Sequence, residues 1–265
     1  MDADRFEEMA RDPRFISGIH NYCDQWCERC AFTGRCMNYA MSQEEEAEAG
    51  QSRDIQNEAF WNNLNKTFEA AMEMIEERAE EMDDFDVDEE ELEEGIREQE
   101  ELHETAKSQP CSRTARRYID LVDNWFTLNE GVLDDKGDKA GPSALADRLD
   151  FVPADDPAAI RDCLEVVRWY QAQIWVKLCR AATGTLRAKR HELDDFQEDA
   201  NGSAKVALIG IERSIAAWGT VLRRFPDHED AIFAMATLKH LLRQVEQAFP
   251  NARAFRRPGF DTEEP

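Results

Sequence analysis

Apolar residues recur at steps of three and four along most of this 265-residue chain, the spacing of one face of an α-helix. Phe60, Leu64, Phe68, Met72, Ile75, Ala79 and Met82 form a first stripe, with Ser52 placed to cap its helix. After the acidic turn DDFDVD comes a thinner stripe of Leu92, Ile96, Gln99, His103 and Ala106, and Pro110 closes that region. A third helix is marked by Ala115, Tyr118, Ile119, Val122, Trp125 and Phe126. Pro157 suits a first helical turn and opens a fourth helix through Ile160, Leu164, Val167, Ile174 and Leu178. A fifth, over about 203–225, carries Ala207, Leu208, Ile211, Ile215, Trp218 and Leu222, and Pro226 breaks it. Asp227, Glu229 and Asp230 suit the positive end of a sixth helix bearing Ile232, Met235, Leu238, Leu242, Val245 and Phe249.

No stretch alternates apolar and polar residues for long, as a strand does. The pattern predicts an all-α fold, a helical bundle of about six helices with a small cysteine-rich metal-binding segment at its N-terminal end. Three divisions follow: a cysteine-cluster segment at 1–50, the bundle at 51–250, and an irregular tail at 251–265. Within the bundle, Gly131, Gly137, Gly141, Pro142 and Pro153 predict a long loop at 131–156, with a short helix near 143–149.

Charge changes this picture in one place. The net charge is −25, and residues 41–104 hold 25 acidic and 4 basic side chains. That face repels a phosphate backbone, which argues against nucleic-acid binding through it; the plain alternative is a solvated helix face. No apolar run reaches the length of a membrane span, and the opening MDADRFEEMARDPRF has no apolar core of a secretory signal. Seven cysteines, an odd number, argue against a disulfide scaffold. A cytoplasmic, reducing compartment is expected, with thiols free to bind metal.

Four of those cysteines, Cys23, Cys27, Cys30 and Cys36, fall in HNYCDQWCERCAFTGRC. On a helix, Cys27 lies about 40° round from Cys23 and Cys30 about 20° back, so one helical turn would put three thiols on one face. Thr33-Gly34 then permits a turn that returns Cys36 to the same point. Thiolates brought together repel one another unless a cation sits between them. The compact spacing suits a 4Fe–4S cluster; a zinc ion, which favours paired short knuckles, is the alternative, since only Cys27 and Cys30 form one. Tyr22, Trp26, Phe32 and Tyr39 stand near enough in sequence to shield a cluster, and Arg29 and Arg35 to offset its charge. His20 has two readings, a ligand or sulfide partner and a cap of the local turn.

CDQWCERC is similar to the radical-SAM signature. That family has alternating strands and helices and an aromatic residue where this chain has Arg29, so no radical chemistry is implied. The spacing of Cys27, Cys30 and Cys36 resembles the cysteine patch of iron–sulfur-stapled nucleases, which implies a shared metal-binding mode only. More broadly, HNYCDQWCERC and GSAKVALIGIERSIAAW resemble a family of bacterial helical proteins with such an N-terminal cysteine cluster; the resemblance carries over no activity.

Weaker constellations remain. Glu100 and His103 form the Glu-x-x-His pair that di-metal bundles use, with Glu69, Glu73, Glu76 and Glu165 as further carboxylates; the alternative is a core-edge histidine on a glutamate-rich helix. Asp84, Asp86 and Asp88 fail the calcium-loop pattern at Glu89 and Gly95. The small-residue run from Gly202 to Gly219 suits close helix packing, or an anion at a helix start with Lys205 assisting. Cys111, Cys163 and Cys179 read as small core hydrophobes. The expectation is an iron–sulfur protein with a redox, sensing or scaffold role and a protein partner. Set against it are a carboxylate/histidine metal enzyme of the bundle and a non-catalytic zinc adaptor.

Overall fold

The computed structural model describes residues 3–48, 89–129, 157–224 and 229–261, and every regular element among them is helical. The expected helix over 60–82, the loop at 131–156, the aspartates of the failed calcium loop and the break at Pro226 lie outside the described residues. The α-helices are α1 Ala3–Arg11, α2 Met37–Glu48, α3 Glu89–Ser108, α4 Pro110–Leu128, α5 Pro157–His191, α6 Asp194–Arg224 and α7 Glu229–Ala248. Contacts divide the chain into two units, Met1–Arg97 with Arg256–Pro265, and Glu98–Phe255. Residues 256–261 therefore group with the cysteine segment.

The second unit is built on α5 and α6. Only Glu192 and Leu193 join them, and Glu192 takes the left-handed conformation at φ 54° that stops a helix. The pair runs antiparallel: Arg180 meets Asp199 at 2.6 Å, and the Arg213 guanidinium donates to the Tyr170 hydroxyl. Small residues set the closeness. A Cβ on Gly184 would stand 3.1 Å from that of Ala200, and one on Gly210 would stand 2.8 Å from the Tyr170 ring. The run from Gly202 to Gly219 thus packs a helix closely.

It does not open one. The helix begins at Asp194, eight residues before Gly202, with Asp194 and Asp195 in its first turn. No helix-start amides are presented at Gly202, and the anion reading loses its physical basis. The Lys205 ammonium instead donates to the carbonyls of Arg253, at 3.1 Å, and Phe255, at 2.6 Å. These bonds tie down the short turn Ala252–Ala254.

Helices α4 and α7 pack on this pair and on each other. The buried centre contains Trp218, Tyr118, Tyr170, Ile174, Leu178, Ile211 and Leu238. Within it the Trp218 indole donates to the Tyr118 hydroxyl at 3.0 Å, and burial pushes that phenol well above its usual range. Trp125 meets Trp218 edge-on at 5.5 Å. Pro110 starts α4 from an extended Gln109, which ends α3 one residue earlier.

On α3 the buried residues are Leu102 and Ala106, whereas Leu92 and Ile96 are about half exposed. The stripe expected through Gln99 and His103 is thus displaced. Both of those residues are exposed.

Two substitutions on α6 should have opposite signs. Gly210→Ala forces the Tyr170 ring to move and should cost about 1–3 kcal/mol. Gly219→Ala meets nothing within 4 Å and should stabilise the helix by about 0.5–1 kcal/mol. Urea unfolding of the two variants beside the parent checks both.

Candidate metal centre

Helical spacing does not bring the thiols together here. The cysteine segment is a series of three short 3-10 turns, Ile19–Tyr22, Cys27–Arg29 and Thr33–Arg35. Each is followed directly by an extended cysteine: Cys23 (φ −101°, ψ 170°), Cys30 (φ −88°, ψ 126°) and Cys36 (φ −108°, ψ 110°). Cys27 opens the second turn. The continuous helix from Cys23 to Cys30 fails for a local reason. Gln25 is left-handed at φ 56°, and the Asp24 carboxylate accepts the Trp26 amide at 3.3 Å, a competing bond typical of aspartate.

The turns are stitched by main-chain bonds. Cys30 donates to Cys27 at 3.1 Å, Cys36 to Thr33 at 3.3 Å, and Ile16 to Arg35 at 3.0 Å. Cys36 then precedes α2, and its carbonyl accepts the Ala40 amide at 3.1 Å. On the far side of α2, Arg5 of α1 holds Glu44 at 2.5 Å and Glu8 at 2.6 Å.

All four cysteines line one small pocket of about 30 Å³. Ile19, Trp26, Phe32, Tyr39 and Phe260 supply its apolar walls, with His20 and Asp24 also on the lining. Tyr22, Arg29 and Arg35 are not on it. None of the four is in a disulfide, and all are half-buried. The Cys23 thiol donates to the His20 carbonyl at 3.3 Å, and the Phe32 amide donates to the Cys30 sulfur at 3.4 Å. Burial pushes the Cys27 thiol up, and charge on Cys23, Cys30, Cys36 and Glu28 pushes it further. The Cys27 sulfur is thus within electrostatic reach of the other three, and a bound cation would act on it in the opposite direction.

This donor set fits a thiolate-bound metal group. Four soft ligands face one pocket, an amide supports one sulfur, and apolar side chains limit water. Among the described residues, no three His, Cys, Asp or Glu side chains gather tightly enough to hold an ion as they stand. Binding therefore requires the thiols to lose their protons and rearrange. Arg29 stands over the Trp26 ring at 4.1 Å. His20 is exposed within its 3-10 turn.

Glu100 and His103 are both exposed on α3, as is Glu165 on α5. Glu69, Glu73 and Glu76 lie outside the described residues. Burial pushes Cys111 up to about 11 and raises Cys163 and Cys179, so these three stay protonated near neutrality. Comparisons with family models, curated proteins and solved structures found no match for this chain.

Residue order alone does not point to Phe260. It reaches the pocket because Gly259 is left-handed at φ 76°, and a Cβ there would stand 2.8 Å from Ile19 Cδ1 and 2.9 Å from Ile16 Cδ1. The Pro258-Gly259 pair is the sequence signal of that turn. Gly259→Ala combines a disfavoured conformation with a clash and should cost the first unit about 2–4 kcal/mol. Hydrogen exchange should speed up across residues 16–36 and stay unchanged in α5 and α6.

Proposed function

We propose that this protein binds a 4Fe–4S cluster through Cys23, Cys27, Cys30 and Cys36 and serves a redox, sensing or scaffold role toward a protein partner in the cytoplasm. One observation carries the reading: four half-buried thiols, none in a disulfide, line a single pocket with apolar walls. When bound, the cluster supplies one-electron chemistry or a covalent staple between the turns.

The chain's own residues do the rest. Cys23, Cys27, Cys30 and Cys36 give up protons and become ligands. The Phe32 amide remains on the Cys30 sulfur, and such bonds tune a cluster's potential. Ile19, Trp26, Phe32 and Tyr39 exclude water from the inner side. Arg29, held on Trp26, puts positive charge near a net negative group. The acidic segment at 41–104 directs partner choice away from nucleic acid and toward a protein surface.

Anaerobic purification with an absorbance spectrum and metal analysis tests the reading. The expected product is brown, with about four irons per chain. Cys→Ala at any of the four positions should abolish or sharply reduce the iron, while Cys111→Ala should retain it. A colourless protein holding one zinc sinks the iron–sulfur reading and establishes the zinc adaptor. Iron that survives Cys23→Ala with Cys27→Ala but is lost in His103→Ala would instead support a bundle enzyme using Glu100 and His103.

A further inference from the structure

We infer that the turn at residues 257–261 is the outer wall of the metal pocket, and that Phe260 is a positioning residue which holds the bound group in place and shields it. The inference rests on the metal-site reading above and is argued from how the turn is built.

Phe260 lines the same pocket as the four cysteines. Its ring meets that of Phe32 edge-on, with centroids 4.9 Å apart and planes at 68°. Phe32 is the residue whose amide donates to the Cys30 sulfur. The chain of contacts therefore runs from Phe260 through Phe32 to a candidate ligand. A ring in this place restrains the sulfur's donor and closes the apolar side of the pocket together, the role that residues behind the ligands play in metal sites.

The turn is built to hold that ring. Arg257 donates to Asp261 from its amide at 3.0 Å, from Nε at 3.1 Å and from its terminal nitrogen at 2.9 Å. The two side chains are only 16% and 22% exposed, unlike the solvent-exposed ion pairs elsewhere in the chain. The same guanidinium stands over the Phe260 ring at 4.8 Å, a cation–π contact that fixes the ring from its outer face. Gly259 seats the backbone directly on Ile16 and Ile19. Two independent fastenings, a two-residue ion pair and a glycine contact, thus flank one aromatic ring and aim it at the cysteine pocket. Removing the ring leaves both in place, so Phe260→Ala opens the wall without releasing the turn.

The full-length chain and its Phe260→Ala and Phe260→Leu variants test this with two rates. In the metal-free, reduced protein, iodoacetamide labelling of Cys23, Cys27, Cys30 and Cys36 is followed by peptide mass spectrometry, with Cys111 as the internal standard. In the anaerobically purified, loaded protein, loss of the visible absorbance to a chelator is followed in time. Phe260→Ala should raise both rates by about tenfold, Phe260→Leu should restore most of the difference, and Cys111 labelling should stay constant. Unchanged labelling of the four cysteines in Phe260→Ala overturns the wall. A parallel rise at Cys111 also overturns it, because that marks general loosening. A parent protein that takes up no metal defeats the metal-site reading alone, while the labelling of the metal-free chain still decides whether Phe260 covers the pocket.

Discussion

Gly210 lets the Tyr170 ring lie against the backbone of α6, and the second unit depends on that approach. With a side chain at Gly210 or Gly184, α5 and α6 would stand further apart, and the surface on which α4 and α7 pack would change shape. Burial then does the remaining work: Trp218, Tyr118 and Trp125 fill the space where α4 meets α6. The Trp218 indole is satisfied by the Tyr118 phenol, so that donor is buried without being left unpaired.

The cysteine segment, residues 3–48, follows a different logic. Its helices α1 and α2 are short, and a set of turns lies between them. Exposed pairs such as Arg5 with Glu44 contribute little. Main-chain bonds between turns and a few contacts at Ile16, Ile19 and Phe32 hold the cysteines in register. A cation bound by the four sulfurs would add a cross-link where the packing is thinnest, the usual relation between metal binding and folding in small metal-binding segments.

The helices were legible in the sequence because periodicity is a sum over many residues. Pro110 marked the end of α3 and Pro157 a true start, and the stripes of α4 and α5 supplied buried core; on α7 Ala231, Ala234 and Leu241 are buried, whereas the expected Ile232 is exposed. Boundaries and faces were less legible. The start of α6 at Asp194 was hidden by a polar first turn, although Asp194 and Asp195 were the signal for it. On α3 the displaced stripe reflects sparse apolar residues among many glutamates, so a shift of one or two positions changed little in the pattern while moving His103 to the surface. Convergence of the cysteines was readable from their density, but the route was not. The 100° rule presumes an unbroken helix, and a left-handed Gln25 beside an Asp24 turn breaks it. Phe260 was invisible because its contact with Phe32 joins residues more than two hundred positions apart, and no local pattern encodes that distance.

That separation has a consequence in time. During synthesis the cysteines leave the ribosome about 220 residues ahead of Phe260, an interval on the order of ten to forty-five seconds at common elongation rates. Through that interval the thiols can fold around a metal group with one side of their pocket still open. Emergence of Phe260 then supplies the missing side. Were a metal group bound as proposed, its insertion would have a window that ends when the ring arrives.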